Sequence, residues 1–445
     1  MLVNLKYSGK VLSIIHLEKW ESMAFNFLNK IYFVSGFLFL FFMLVFPSVF
    51  QEIKYISMFF LIITGIIEWI GNSGKINKWI FISLLIWFFY FLSSLLLGIL
   101  NNFKVDFVLV SIYFVTPILA FLFSSIINNN TRFICLNKML IYITFVICII
   151  DIVYILNITD VIALPFEIKS KIFGSVELSS EKVEFRITNQ SSLMFLLPYL
   201  IAIFYSKGFN SIGEKRFILL TILLGVILSI LSGRRALEFV VFIAFLLTFL
   251  LIKFKKNSKP VFTKAIIYKR IKSIFFIFGL IMLFLFNFFD NVEHFFDFIN
   301  SVYETFMRAF SSKSVSGSIR NRQSIALFEG WAESPLFGHG LNSNSKDVIR
   351  SLETPWSYEQ VYQALLFQTG ILGFGLFLSY VILIAINLYY KVGKLELIEN
   401  KYFLGILVGF ICFIIAGSTN PLVYYVWAWT FALISYQKSI NLDNA

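Results

Sequence analysis

The sequence predicts an all-α, polytopic membrane protein. About twelve transmembrane helices are expected to form a single membrane domain over residues 1–445, with two larger loops on one side. Three observations carry this. Of 445 residues, 59% are hydrophobic and only 14% are charged, where a soluble domain has about 25% charged residues; mean hydropathy is +0.84. The apolar residues come in runs of about 20, the length a helix needs to cross the hydrocarbon core, and the alternating segments of roughly ten residues that mark a β-barrel are absent. Polar residues gather in two intervals, 158–189 and 290–360. The 56 phenylalanines are read as compositional bias.

Taken in order, spans are expected near 31–50, 53–70, 79–100, 105–127 and 139–157. After the first polar interval they follow near 190–206, 216–231, 236–252 and 273–289, and after the second near 361–390, 402–418 and 421–437. In the first interval, KVEFRIT alternates and reads as extended or amphipathic. In the second, HFFDFINSVYETFMRAF has apolar residues at helical spacing and reads as a helix lying at the membrane interface. Lys and Arg set the orientation. With the N-terminus inside, most of the 37 basic residues fall in cytoplasmic segments, foremost the cluster from Lys253 to Lys272. Both termini are then cytoplasmic, and both large loops face the opposite side. The N-terminus reads as a basic cytoplasmic segment leading into a retained span, because no small-residue cleavage site follows an apolar stretch.

Several function classes are set aside at this level. A net charge of +12 can signal nucleic acid, but here the excess sits in short loops on one side, so no nucleic-acid partner is expected. Cys135, Cys148 and Cys412 lie in or beside spans and form no CxxC pair, and His16, His294 and His339 are scattered. Neither a disulfide framework nor a zinc site is therefore expected. No GxxxxGK[ST] run is present and no paired-aspartate motif faces a loop. A nucleotide-activated, metal-dependent reaction is not expected, and no cofactor is. The glycines of GILGFG, within the apolar run from Gly370, read as allowing close helix packing.

The groups that can carry chemistry sit at the distal helix ends. Arg234 and Arg235 lie in LSGRRALEF, between the seventh and eighth spans. Arginine there needs water, headgroups or an anionic ligand, and guanidinium matches phosphate with fork geometry; the alternative is a hairpin whose arginines reach for headgroups. Arg186, in EFRITNQSS, is either an interfacial anchor neutralised by Glu181 and Glu184 or a further anion contact. In the late loop, Arg320 and Arg322 precede the helical run IALFEGWAESP, which stops at Pro335. Two residues apart, they point to different faces of a helix, so only one is expected to touch a given ligand. Glu359 stands at the start of the tenth span, where the helix dipole favours a carboxylate. The sharper reading makes it a general base, accepting a proton from a sugar hydroxyl. Trp356, Tyr358 and Tyr362 offer flat faces for stacking on sugar rings, and His339, in the LFGHG turn, joins them as a sugar-binding candidate. Together these groups suit a metal-free transfer from a lipid-linked pyrophosphate, with arginines stabilising the leaving group in place of a metal.

The arrangement resembles the O-antigen polymerase and O-antigen ligase superfamily of bacterial inner membranes, whose members have roughly a dozen spans and two larger periplasmic loops. SGRRAL looks like the family's Ser-Arg segment at a periplasmic helix end. EFRITNQSS resembles the arginine-bearing end of the earlier loop, and RNRQSIALFEGWAESPLFGHG resembles the late Arg…Trp…Pro-Leu-x-Gly-x-Gly run, where Arg320 has the better spacing to Pro335. Ligases carry His-[Asn/Ser/Gln], nine residues, then Gly-x-x-Gly. This chain has Glu359-Gln360 in those first positions, followed at the same spacing by Gly370 and Gly373, so glutamate stands where a ligase has histidine. The form PWSYEQVYQALLFQTG looks like that of repeat-unit polymerases.

The resemblance implies an integral-membrane glycosyltransferase of GT-C-like architecture in the bacterial inner membrane, with its active site on the periplasmic side. It would move a growing O-antigen or related surface polysaccharide from undecaprenyl pyrophosphate onto a new lipid-linked repeat unit. Arg186, Arg234 and Arg235 would hold the pyrophosphate, Arg320 or Arg322 would close from the loop, and Glu359 would serve the acceptor. Undecaprenyl-pyrophosphate-linked oligosaccharide and membrane lipid are the implied partners, with a chain-length regulator protein as a further one. The alternatives are a ligase that passes finished glycan to lipid A-core, and a non-enzymatic flippase for lipid-linked sugars. Transporters often show inverted repeats, and none is visible here.

Overall fold

Segments without polar side chains must satisfy their amides within the backbone, and helices do so in every direction. The computed structural model describes residues 30–31, 33–47, 49–71, 78–125, 130–158, 162, 174–179, 182–206, 208–209, 211–232, 234–254, 315–349, 351–392, 397–418, 420, 425 and 429–433. Among the described residues, helices occupy ten of the twelve stretches where spans are expected, with residues 429–433 of a further one also helical. They begin with α1 (Phe33–Val45), α2 (Gln51–Gly71), α3 (Lys78–Leu100), α4 (Phe107–Val110), α5 (Thr116–Ser125) and α6 (Asn130–Ile158). A π-turn over Ser111–Val115 joins α4 to α5. Then come α7 (Gln190–Tyr205), α8 (Ile212–Leu231), α9 (Arg235–Phe254), α10 (Val315–Glu333), α11 (Val361–Lys391) and α12 (Leu397–Ala416). The span expected at 273–289, the interfacial helix at 294–310 and nearly all of the basic cluster lie outside the described residues, as does most of 421–437.

Among the described residues, three helical stretches are long and apolar enough to cross a membrane: Ile82–Leu100, Thr131–Ile158 and Val361–Lys391. Phe33–Val45, Phe107–Leu122, Gln190–Tyr205, Ala236–Ile252 and Asn400–Ala416 are apolar and shorter. Among the described residues the chain is mostly helical, with one departure from an all-α protein. In the first polar interval, β1 (Gly174–Ser179) and β2 (Lys182–Ile187) pair antiparallel, with Ser175 opposite Arg186 and Val176 opposite Phe185. The extended character expected around KVEFRIT is this hairpin.

The core sits on α7. Its sequence, QSSLMFLLPYLIAIFY, has no charged face, and nearly every residue from Gln190 to Tyr205 is buried, as expected of a helix that is apolar all round. It packs against α12, α9, α8 and α6. Its polar groups find partners inside: the Tyr199 hydroxyl donates to Asn137 Oδ1 at 2.7 Å, and Ser192 Oγ donates to the Leu44 carbonyl at 2.9 Å.

A second, aromatic cluster joins α3, the π-turn and α11 around Phe91, Tyr113 and Phe377. The Phe91 and Tyr113 rings stack at 4.6 Å, and Trp87 Nε1 donates to the Tyr113 carbonyl at 2.9 Å.

The element that positions the late loop is a break in α11. Gly370 has φ 64° and ψ −174°, a conformation essentially restricted to glycine. A break exposes carbonyls above it and amides below it, and each needs a partner. The turn after α10 supplies them. The amides of His339 and Gly340 donate to the carbonyls of Phe367 and Gln368 at 3.0 and 2.8 Å. The amides of Ile371 and Leu372 donate to the carbonyls of Pro335 and Leu336 at 2.9 and 3.3 Å. The PLFGHG turn thus fills the gap with backbone.

The fit leaves no room for side chains. A Cβ on Gly370 would collide with the Leu336 carbonyl, and one on Gly340 would collide with the backbone of Gly98 in α3. The Leu341 amide closes the contact by donating to the Ser94 carbonyl at 2.9 Å. The glycines read from sequence as helix-packing residues divide accordingly. Gly370 is the break itself, Gly373 faces Thr369 and Tyr90, and Gly375 has nothing within 4 Å of where its Cβ would stand.

Candidate functional site

Two arginine-bearing assemblies take shape, each on its own scaffold. The late one joins α10 to the start of α11. Arg320, Gln323, Ser324, Leu327 and Gly330 recur at helical spacing along one face of α10. Arg320 Nε donates to Glu359 Oε2 at 2.8 Å. Gln360, the residue preceding α11, makes no side-chain capping bond; its Nε2 reaches across to the Arg320 carbonyl at 3.1 Å. Gln363 Nε2 meets Ser324 Oγ at 3.2 Å. Below these, Leu327, Tyr358, Ala364 and Phe367 form a small apolar cluster.

Arg322, on another face, is exposed. The two arginines are thereby separated: Arg320 meets Glu359, and Arg322 faces solvent. The Arg320 and Glu359 side chains are 37% and 29% exposed. A pair this open contributes at most about 1 kcal/mol to stability, so its main effect is to hold the two charged groups side by side.

The aromatic candidates are corrected. Trp356 and Tyr358 are buried and offer no open face for a sugar. Trp356 Nε1 donates to Asp106 Oδ2 at 2.6 Å, tying the late loop to the segment before α4. The Tyr358 hydroxyl accepts from the Ser345 amide at 2.8 Å and donates to the Val348 carbonyl at 3.0 Å. Burial raises the phenol above its ordinary pKa, and the Ser345 hydrogen bond opposes the shift. Tyr362 is half-buried, with its hydroxyl on the Ile414 carbonyl and its ring 5.9 Å from that of Phe377.

His339 is also half-buried. Its Nε2 lies 2.7 Å from the Gly330 carbonyl, an acceptor only, so the ring donates there. The ring stands 4.7 Å from Phe367. A polar atom of each of these four side chains bonds to the protein. Gln368 Nε2 donates to the carbonyls of Ser343 and Trp356 at 3.1 and 3.3 Å. Asp106, Ser343 and Gln368 carry no motif that singles them out in the sequence.

The early assembly forms where the hairpin meets the junction of α8 and α9. The Phe185 amide donates to the Ser232 carbonyl at 3.2 Å. That bond brings Arg186 of β2, Arg234 of the junction and Arg235, the first residue of α9, to one place in the chain's path. Ser232 is buried, and its Oγ accepts from the Arg234 amide at 3.3 Å. The Arg234 carbonyl in turn accepts from the amides of Leu237 and Glu238, starting α9.

Three polar side chains are buried on the neighbouring helices: Asp151 of α6, Asn189 before α7, and Gln190 at its start. In the sequence, Asp151 is an ionisable residue inside the apolar run 139–157. The two amides had no signal of their own.

In the early assembly the backbone brings the positions of Arg186, Arg234 and Arg235 to one helix junction, and arginine is the residue type that binds phosphate in fork geometry. The late assembly pairs a guanidinium with a carboxylate beside an exposed face, the combination needed to orient a hydroxyl and receive its proton. Among the described residues, no three His, Cys, Asp or Glu side chains come together as metal ligands. No protein-family model matches the chain, and no curated protein matches its sequence significantly.

Proposed function

We propose that the protein is a polysaccharide repeat-unit polymerase acting on undecaprenyl-pyrophosphate-linked glycans at the periplasmic face of the bacterial inner membrane. The observation that carries this reading is the Arg320–Glu359 pair, at 2.8 Å and partly open to solvent, mounted on a loop whose backbone is locked into the broken helix α11. In the transfer, the bond between the anomeric carbon of the growing glycan and the pyrophosphate oxygen breaks. A bond forms from that carbon to a hydroxyl oxygen of the incoming repeat unit. The hydroxyl proton passes to the Glu359 carboxylate, and undecaprenyl pyrophosphate leaves with the electron pair. Arg186, Arg234 and Arg235 stabilise the charge that develops on the leaving group. Arg320 orients Glu359.

The test is a glycan profile of a strain lacking the gene, complemented with wild type, R234A or E359Q. A lost ladder, with single repeat units on lipid A-core, is expected for the deletion and for both variants at normal protein level. Long glycan accumulating on undecaprenyl pyrophosphate beside bare core would make the protein a ligase instead. Single units retained on the cytoplasmic face would make it a flippase. Normal ladders from both variants would overturn the site assignment.

A further inference from the structure

The apolar residues of α11 change surroundings at its break. None of the residues from Val361 to Gly370 is exposed, and α10 packs along this part. From Ile371 to Tyr390, apolar side chains stand open at recurring positions, among them Leu372, Leu378, Ile382, Leu383 and Ile386. That stretch carries no charge, and Lys391 follows it. It measures about 30 Å at 1.5 Å per residue, the thickness of the hydrocarbon core. The whole helix, at 31 residues, is longer than a bilayer needs. The excess is the covered part before the break.

Helix α3 gives the same level. Its open apolar residues run up to Ile99 and Leu100, and exposed Asn101, Asn102 and Lys104 follow at once. Asn101 Nδ2 donates to the His339 carbonyl at 2.9 Å, and the Leu341 amide meets Ser94 within the helix. Both helices thus hold the turn that follows α10 at one depth, the edge of their apolar zones.

At that depth two adjacent large apolar side chains, Leu336 and Phe337, are each 57% exposed. Single exposed apolar residues are ordinary. These two are neighbours, and they lie level with the open side chains of Ile371 and Leu372. Non-helical backbone is tolerated at membrane depth where the protein satisfies its polar groups. Here the Pro335 carbonyl accepts from both the Ile371 amide and Trp331 Nε1, and the Gly338 amide donates to the Ser334 carbonyl at 3.0 Å. Trp331 itself is of the residue type that gathers at membrane–water boundaries.

We infer that the turn is a membrane-docking element, whose Leu336 and Phe337 side chains insert among the acyl chains of the leaflet on the late loop's side. Its occupant is lipid hydrocarbon, because the patch is apolar and continuous with the open apolar zones of α3 and α11. The inference does not rest on the proposed chemistry; it rests on α3 and α11 crossing a bilayer. Docking there fixes the break in α11 at the membrane boundary and leaves Arg320 and Glu359 on its water side.

The experiment uses full-length protein carrying C135S, which removes the exposed cysteine. Bimane is attached at L336C, F337C, N321C or I382C, and the protein is placed in nanodiscs of phosphatidylethanolamine and phosphatidylglycerol. The measurement is quenching by lipids brominated on their acyl chains. Labels at 336, 337 and 382 are expected to lose about half or more of their emission, as insertion at the acyl boundary requires, and the label at 321 less than about a tenth. If the cysteine variants of the turn do not fold, wild type in bilayers holding a phospholipid with an acyl-chain diazirine supplies the answer. Adducts on Leu336 or Phe337, as well as on α11 beyond its break, are then expected.

Quenching at 336 and 337 no greater than at 321, or adducts confined to α11, would overturn the inference. So would quenching that disappears when undecaprenyl pyrophosphate is added, since the patch would then hold that lipid's tail. An unquenched turn in a protein that runs as a dimer would overturn it in favour of a second copy of the chain. No quenching at 382 would remove α11 as a span, and this inference with it.

Discussion

Arg234 and Arg320 are both half-buried, but the regions they belong to differ. The early region holds a closed patch where Asp151, Asn189 and Gln190 have no exposed surface. Arg320 stands at an open edge, 37% exposed, with a partner carboxylate that is 29% exposed. In the closed patch the effective dielectric is low, and no water replaces a lost contact, so neighbouring charges dictate the direction of a side chain. At the open edge, salt and water weaken the pair, and either group can change partner at small cost. The early assembly is suited to holding a fixed charge, and the late one to exchanging partners as a substrate arrives. Their scaffolds differ in the same sense. Side-chain burial supports the first, and backbone hydrogen bonds across a helix gap support the second.

The comparison can be broken most completely at the gap. G370A is expected to have the largest effect, because the backbone strain alone costs about 1–3 kcal/mol and the new methyl collides with the Leu336 carbonyl. Loss of monodisperse protein, or a large fall in melting temperature in detergent, is the expected readout. G375A, with open space around its Cβ, should melt like wild type or slightly higher.

Next in size is a contrast between the two arginines. R234K should lose polymer synthesis by about 100-fold or more, like R234A, since an ammonium cannot reproduce an oriented fork. R320K, still able to meet Glu359 in a wet site, should lose no more than about 1 kcal/mol of transition-state stabilisation. Equal losses from the two lysine variants, in a purified polymerisation assay, would erase the distinction.

A smaller effect is expected from Y358F, which leaves the Ser345 amide and the Val348 carbonyl unpaired in the interior. Stability should fall by about 1–3 kcal/mol, with the turnover of surviving protein unchanged; altered turnover at normal stability would return Tyr358 to the substrate. Smallest of all, R322A should shift stability by less than about 0.5 kcal/mol and leave the ladder intact.

Much of this architecture is legible in the amino-acid order. Helix positions follow from the apolar runs, and KVEFRIT betrays its strand by alternation. The distinct fates of Arg320 and Arg322 follow from their spacing on one helix. Other features are not legible, for identifiable reasons. An aromatic residue beside a carboxylate has an apolar ring and a polar tip in either role, lining a sugar site or filling a core. Trp356 and Tyr358 are decided by acceptors and donors elsewhere, at Asp106, Ser345 and Val348, which no pattern links to them. Gly370 looks like a packing glycine in an apolar run. Only the arrival of the PLFGHG backbone turns it into a break. The amides of Asn189 and Gln190 open a helix in an ordinary polar string, and their burial comes from α7 lying at the centre of the bundle.

The filled gap in α11 also bears on how the protein is made. The chain is synthesised from its N-terminus, so the turn that completes α11 already exists when the receiving segment leaves the ribosome. The links between the two pieces are local: Gln368 reaches back 25 residues to Ser343, and Gln360 reaches back 40 to Arg320. Closure onto α3 is remote: Asn101 and His339 are 238 positions apart in the chain. Because the entropy of closing a loop rises with its length, the turn and the broken helix are expected to join first and to reach α3 as a finished piece. A translating chain arrested after α11 should therefore already protect the amides of His339, Gly340, Ile371 and Leu372 from exchange, whether or not α3 has docked.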